Sequence, residues 1–150
     1  MKKTLSLVIM LLLVPNLVCC HKEQSAENMM NDFLYSYGAS GTVYSPSRSE
    51  GEYGYVTSEL LNLIYVYDSD FPESFAIFLN PRSDYGSECG FFVAKGEDER
   101  ERIVDMCEER LSLIARGDEG FIITRGRVVF YSAMEDSERA RRVAKRVILR

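Results

Sequence analysis

From residue 75 onward the apolar positions fall into blocks with clear periods, and those blocks predict the elements. Phe75 to Leu79 is a near-continuous apolar run ended by Asn80-Pro81, and Cys89 to Ala94 is a second. Both predict buried strands, joined into a hairpin by the loop at 81–87. Between Glu97 and Ala115, Ile103, Val104, Cys107, Leu111 and Ile114 recur at helical spacing, with charges on the remaining face and Gly117 just past the end. Phe121 to Thr124 and Val128 to Ala133 flank Arg125-Gly126, which suits a tight turn between two strands. A last helix, capped by Asp136 or Ser137, buries Ala140, Val143, Ala144 and Val147.

The pattern is weaker before residue 75. Met29, Met30, Phe33, Leu34 and Tyr37 line one face of a helix over 28–37, with Gly38 as its stop. Ala39 to Tyr55 is rich in Gly, Ser and Tyr, has no sustained period, and reads as a loop with room for an irregular extended piece. Thr57 or Ser58 caps a second short helix whose inner face carries Leu60, Leu61, Ile64 and Tyr65. The order helix, helix, strand, strand, helix, strand, strand, helix predicts a single α+β domain over 28–150, a mainly antiparallel four-stranded sheet packed with helices. Because the strands are apolar on both sides, the N-terminal helices are expected to cover part of the second face.

The first twenty residues follow another logic. Lys2 and Lys3 precede an apolar run from Leu5 to Val14, which Pro15-Asn16 interrupt before Leu17-Val18-Cys19-Cys20. That is the layout of a secretory signal peptide over 1–19, and the run is about half the roughly 20 residues a membrane span needs. Its ending resembles the bacterial lipobox, in which an aliphatic residue stands three before a cysteine that is acylated and becomes the new N-terminus. Cys20 fits that position with Leu17 before it, whereas Cys19 would put Asn16 at the aliphatic place. Ordinary cleavage with secretion and an uncleaved anchor are the competing outcomes. A diacylglyceryl anchor on Cys20 would hold the chain at the extracytoplasmic face of a membrane, since each buried methylene contributes about 0.8 kcal/mol. Residues 20–27 then form a polar tether.

Composition narrows the picture. At 150 residues and 46% hydrophobic content the chain fits one core rather than two. The formal charge of −5 becomes −7 once the two lysines of the signal peptide are gone, which argues against nucleic acid as a partner. Only Cys89 and Cys107 belong to the body, so this is no disulfide scaffold.

The segments Glu88-Cys89-Gly90-Phe91-Phe92, Cys107-Glu108-Glu109-Arg110 and Gly126-Arg127-Val128-Val129-Phe130-Tyr131-Ser132 resemble, over about residues 50 to 148, the family of small bacterial lipoproteins catalogued as domain of unknown function 4358. The resemblance implies a location and a fold, and it brings no catalytic residues.

Candidate chemistry is sparse. The single histidine, His21, stands beside the lipid site and reads as a solvated tether residue rather than part of a triad. Zinc needs about four Cys or His ligands, and the body offers two. Asp68, Asp70 and Glu73 lack the loop glycine and late bidentate glutamate of a calcium loop, so no cofactor is expected. Cys89 and Cys107 are either bonded or two small buried thiols; free thiols are expected, because a helix on a sheet holds side chains apart unless both enter one interface. Seven of the nine tyrosines fall between 35 and 67, and Tyr44, Tyr53 and Tyr55 are candidates for an aromatic binding surface. Arg142 and Arg146, in the cation-rich last helix, are candidates for contact with anionic lipid or wall polymer. The function expected is a non-enzymatic, membrane-anchored lipoprotein that binds an envelope component or partner protein. The alternative is a small cell-envelope enzyme whose site converges only in three dimensions.

Overall fold

The computed structural model describes residues 25–67, 72, 74–80, 87–115 and 120–150. The signal peptide, Cys20 and His21 lie outside the described residues, as do Asp68, Asp70 and Glu73. The elements are α1 (Ala26–Tyr37), β1 (Thr42–Tyr44), α2 (Ser58–Asn62), β2 (Ser74–Asn80), β3 (Ser87–Val93), α3 (Glu97–Ile114), β4 (Phe121–Arg125), β5 (Val128–Ser132) and α4 (Ser137–Ile148). The fold is α+β, with one antiparallel sheet in the order β1-β2-β3-β5-β4.

Alternation along the strands splits the core into two layers. Ala76, Phe78, Cys89, Phe91 and Phe130 point to one face, where α1 supplies Met29, Met30 and Phe33 and α4 supplies Ala140, Val143, Ala144 and Val147. Phe75, Ile77, Phe92, Val129 and Tyr131 point to the other, under Leu61 of α2 and Ile103, Met106 and Cys107 of α3. Both faces are therefore covered, which is why the central strands carry no polar alternation. The N-terminal helices do not stay together: α1 joins α4 on one face and α2 joins α3 on the other.

The sheet has five strands where the pattern predicted four. The added strand, β1, is three residues long and pairs Val43 with Phe78 at the sheet edge. Three residues are too few to establish a period, and the strand is held by its neighbour rather than by its own sequence. The first helix starts earlier than predicted. Ser25 Oγ accepts from the Asn28 N–H, and Ala26, fully buried, donates its N–H to Ser74 Oγ at 3.2 Å. Residues 25–27 thus belong to the cap and first turn of α1 rather than to the tether. In the β4–β5 hairpin the central residues are Gly126 and Arg127; φ is positive at Gly126 (+54°) alone, the pattern of a type II′ turn.

Cys89 and Cys107 are free and buried in different layers, on opposite sides of the sheet. No disulfide joins them.

Candidate functional site

The sequence candidates do not form one surface. Tyr44 and α4 lie on opposite sides of the sheet, so Tyr44 does not share a surface with Arg142 and Arg146. Tyr53 is 79% exposed and accepts a hydrogen bond from Thr42 Oγ1 at 3.1 Å, while Tyr55 is half-buried at a bridge to Ser45. Arg48 ties this loop down, donating to the Tyr53 carbonyl and, through Nε at 3.3 Å, to Glu27 of α1. Gly54 (φ +89°) lies so close to the Val43 carbonyl that a Cβ would overlap it, which is why glycine stands there. Of the remaining tyrosines, Tyr37 stacks on Phe33 at 5.6 Å beneath Arg139, and Tyr35 points away from the core on α1. The tyrosines serve several separate places rather than one platform.

One of those places is a buried polar cluster that sequence reasoning missed. Glu88, on the α2–α3 face of β3, has a carboxylate only 6% exposed. Arg110 of α3 grips it with both arms, Nε to Oε1 at 2.9 Å and a terminal nitrogen to Oε2 at 2.7 Å. Tyr131 donates its hydroxyl to Oε1 at 2.5 Å and Tyr65 does so at 3.1 Å, and the two hydroxyls also touch one another. The Arg110 guanidinium lies 5.5 Å from the Tyr65 ring centre. Gly90 makes room for this, since a Cβ there would overlap the Tyr131 ring.

The arrangement suits cross-linking of the fold rather than catalysis. Four donors occupy the Glu88 carboxylate, and Tyr131 is wholly buried. The hydrogen bonds to Glu88, together with its charge, raise the Arg110 guanidinium further above its usual value. Burial, with the Glu88 charge beside it, raises the Tyr65 hydroxyl well above its usual 10; burial, with Tyr65 and Glu88 adjacent, does the same for Tyr131. Burial likewise lifts the Cys89 and Cys107 thiols well above 9, so neither is a ready nucleophile.

These raised values have a sign for stability. The unfolded chain gives up thiol protons near pH 9 and phenol protons near pH 10, whereas the folded chain retains them. The contribution is complete below about pH 9 and is lost as pH rises through the folded values. The urea midpoint should accordingly hold steady up to about pH 9 and then fall, and the fall should be shallower in Tyr65→Phe.

Beside the cluster, between α2 and the β1–β2 edge, lies an open groove of about 190 Å³. Tyr44, Ile77 and Leu79 form its sheet wall, and Val56, Leu60, Leu61, Ile64 and Tyr65 the rest. Among the described residues no charged side chain lines it. Leu60 and Ile64 were expected on the buried face of their helix, but they stand 50% and 40% exposed on the groove rim. The reason is local. Helix α2 lasts five residues before Leu63 and Ile64 turn back on Leu60 and Leu61, so helical spacing stops predicting direction after Asn62, and only Leu61 and Tyr65 reach the core. Leu63 is 82% exposed, whereas Val66, 71% exposed, lines a separate depression with Tyr67, Arg102, Asp105, Met106 and Glu109.

Among the described residues no group of three or more His, Cys, Asp or Glu is placed to hold a metal, and no helix is long and apolar enough to cross a membrane. No family model, curated protein or solved structure matches the chain.

Proposed function

We propose that this chain is a non-enzymatic lipoprotein, anchored through Cys20 at the extracytoplasmic face of a bacterial membrane, whose groove between α2 and the β1–β2 edge takes an apolar group of a partner protein or envelope component. The anchor rests on Lys2-Lys3, the apolar run and the Leu17-Val18-Cys19-Cys20 ending. The binding role rests on one observation, the exposed Leu60 and Ile64 on the rim of a groove lined, among the described residues, by apolar and tyrosine side chains alone. Contiguous apolar surface of this kind marks interaction sites, because leaving it in water is unfavourable. A binder also accounts for the buried carboxylate better than an enzyme does, since Glu88 is saturated and does not line the groove.

A photo-crosslinking residue at Leu63 in intact cells tests the site. It should capture a defined adduct that a crosslinker at Arg125, on the far edge strand, does not. Leu60→Glu with Ile64→Glu should weaken capture by roughly tenfold or more, as expected for burying charge in an apolar contact, while leaving the unfolding midpoint nearly unchanged. Equal capture from Leu63 and Arg125, or capture insensitive to the two glutamates, would count against the groove.

A further inference from the structure

We infer that the outward face of α4 rests on anionic lipid headgroups, so that the protein sits on the bilayer with its groove turned away from it. Helix α4 buries Ala140, Val143, Ala144 and Val147 and carries five cations against one acid, Glu138, in a chain whose net charge is −5. Two of those cations lie over aromatic rings while remaining exposed. Arg139 lies 5.2 Å from the Tyr37 ring centre and Arg141 lies 4.2 Å from that of Phe121. The other three face solvent. Arg142 reaches Glu138 at 3.5 Å, with both side chains at least two-thirds exposed, and Lys145 and Arg146 meet no carboxylate among the described residues.

The position of the chain's start selects the membrane as the occupant of this face. Tyr37, at the end of α1, accepts the Asp136 N–H at 3.2 Å, and Arg150, beyond the end of α4, reaches Asp32 at 3.4 Å. The two helices are therefore antiparallel, and the cationic end of α4 points toward the start of α1 at Ser25. Cys20 stands five residues before Ser25, and five residues span at most about 18 Å. On the anchor proposed above, the bilayer surface lies within that reach of the start of α1, the end toward which α4 runs. At full extension that reach is about two Debye lengths of 8 to 10 Å, so the attraction of these exposed cations to an anionic surface grows as the tether shortens the gap. The groove belongs to the other side of the sheet and faces outward.

The test uses the full chain carrying Cys20→Ser, so that it does not depend on acylation. Its partition into vesicles of phosphatidylcholine with phosphatidylglycerol is compared with that into phosphatidylcholine alone, which cancels the apolar contribution of the N-terminal run. The same ratio is measured for the chain that also carries Arg142→Glu, Lys145→Glu and Arg146→Glu, with the unfolding midpoint as a check on folding. The expected result is a preference for anionic vesicles that falls on the order of 100-fold in the triple variant and weakens with salt in the parent. An unchanged ratio in the triple variant would overturn the inference, as would charge-dependent binding to isolated anionic wall polymer with none to anionic vesicles. Acylation of Cys20 is read separately from the mass of the mature N-terminal peptide, so failure of the anchor and failure of this face are distinguishable.

Discussion

Arg110→Met is expected to lower stability by about 3 to 5 kcal/mol, because it leaves the Glu88 carboxylate buried with its charge uncompensated. Adding Glu88→Gln should restore most of that loss. The amide keeps an acceptor for the Tyr65 and Tyr131 hydroxyls and removes the stranded charge, while methionine fills much of the volume left by the arginine stem. Glu88→Gln alone should cost less than Arg110→Met, since Arg110 is partly exposed and can turn its charge to water. Urea titrations of the four chains give the coupling directly. Losses that simply add would mean that the two side chains do not act as a pair.

Phe130→Ala should be comparably damaging on the opposite face. The Phe130 ring is fully buried and meets three others, with centroids 4.5 Å from Phe91, 5.0 Å from Phe33 and 5.9 Å from Phe121. Those rings come from β3, α1 and β4, so the cavity left behind is walled by three elements that cannot all collapse into it. A loss of about 3 to 5 kcal/mol is expected, toward the upper end for this reason. Because Phe130 and the Glu88 cluster lie on different faces, combining Phe130→Ala with Arg110→Met should give nearly additive losses. A loss under about 1 kcal/mol for Phe130→Ala would mean that this aromatic layer is loosely packed.

The parts of the fold that could be read from the sequence are those with enough length to show a period. Eighteen residues of α3, and the Ala140, Val143, Ala144, Val147 stripe of α4, declare their buried faces, and the four longer strands stand out as apolar runs. The three residues of β1 could not, and neither could the end of α2, where the chain leaves the helix and Leu60 and Ile64 turn outward. Free thiols at Cys89 and Cys107 followed from the general geometry of a helix on a sheet, although their placement on opposite faces depended on strand register.

The buried cluster was hidden by abundance. Arg110 looks like one more member of the charged face of α3, and Tyr65 and Tyr131 look like ordinary aromatics of an apolar pattern. Two signals were nonetheless present. Glu88 is an acid directly before the apolar run at 89–94, and Arg110 follows Cys107 by three residues and precedes Ile114 by four, which sets it at the edge of the buried stripe. An acid and a base that each border an apolar pattern are natural partners across a helix–sheet interface. The candidate surfaces divided differently. Tyr44 does enter a groove wall, but Tyr53 and Tyr55 are committed to their own loop, and Arg142 and Arg146 sit on the other side of the molecule.

The most direct test of the lipoprotein account is the mass of the N-terminal peptide of the mature protein, purified from membranes of cells that make it from its own signal. The account predicts a peptide that begins at Cys20 and carries a diacylglyceryl group. A peptide beginning at Met1, a peptide beginning after another residue, or an unmodified Cys20 would contradict it.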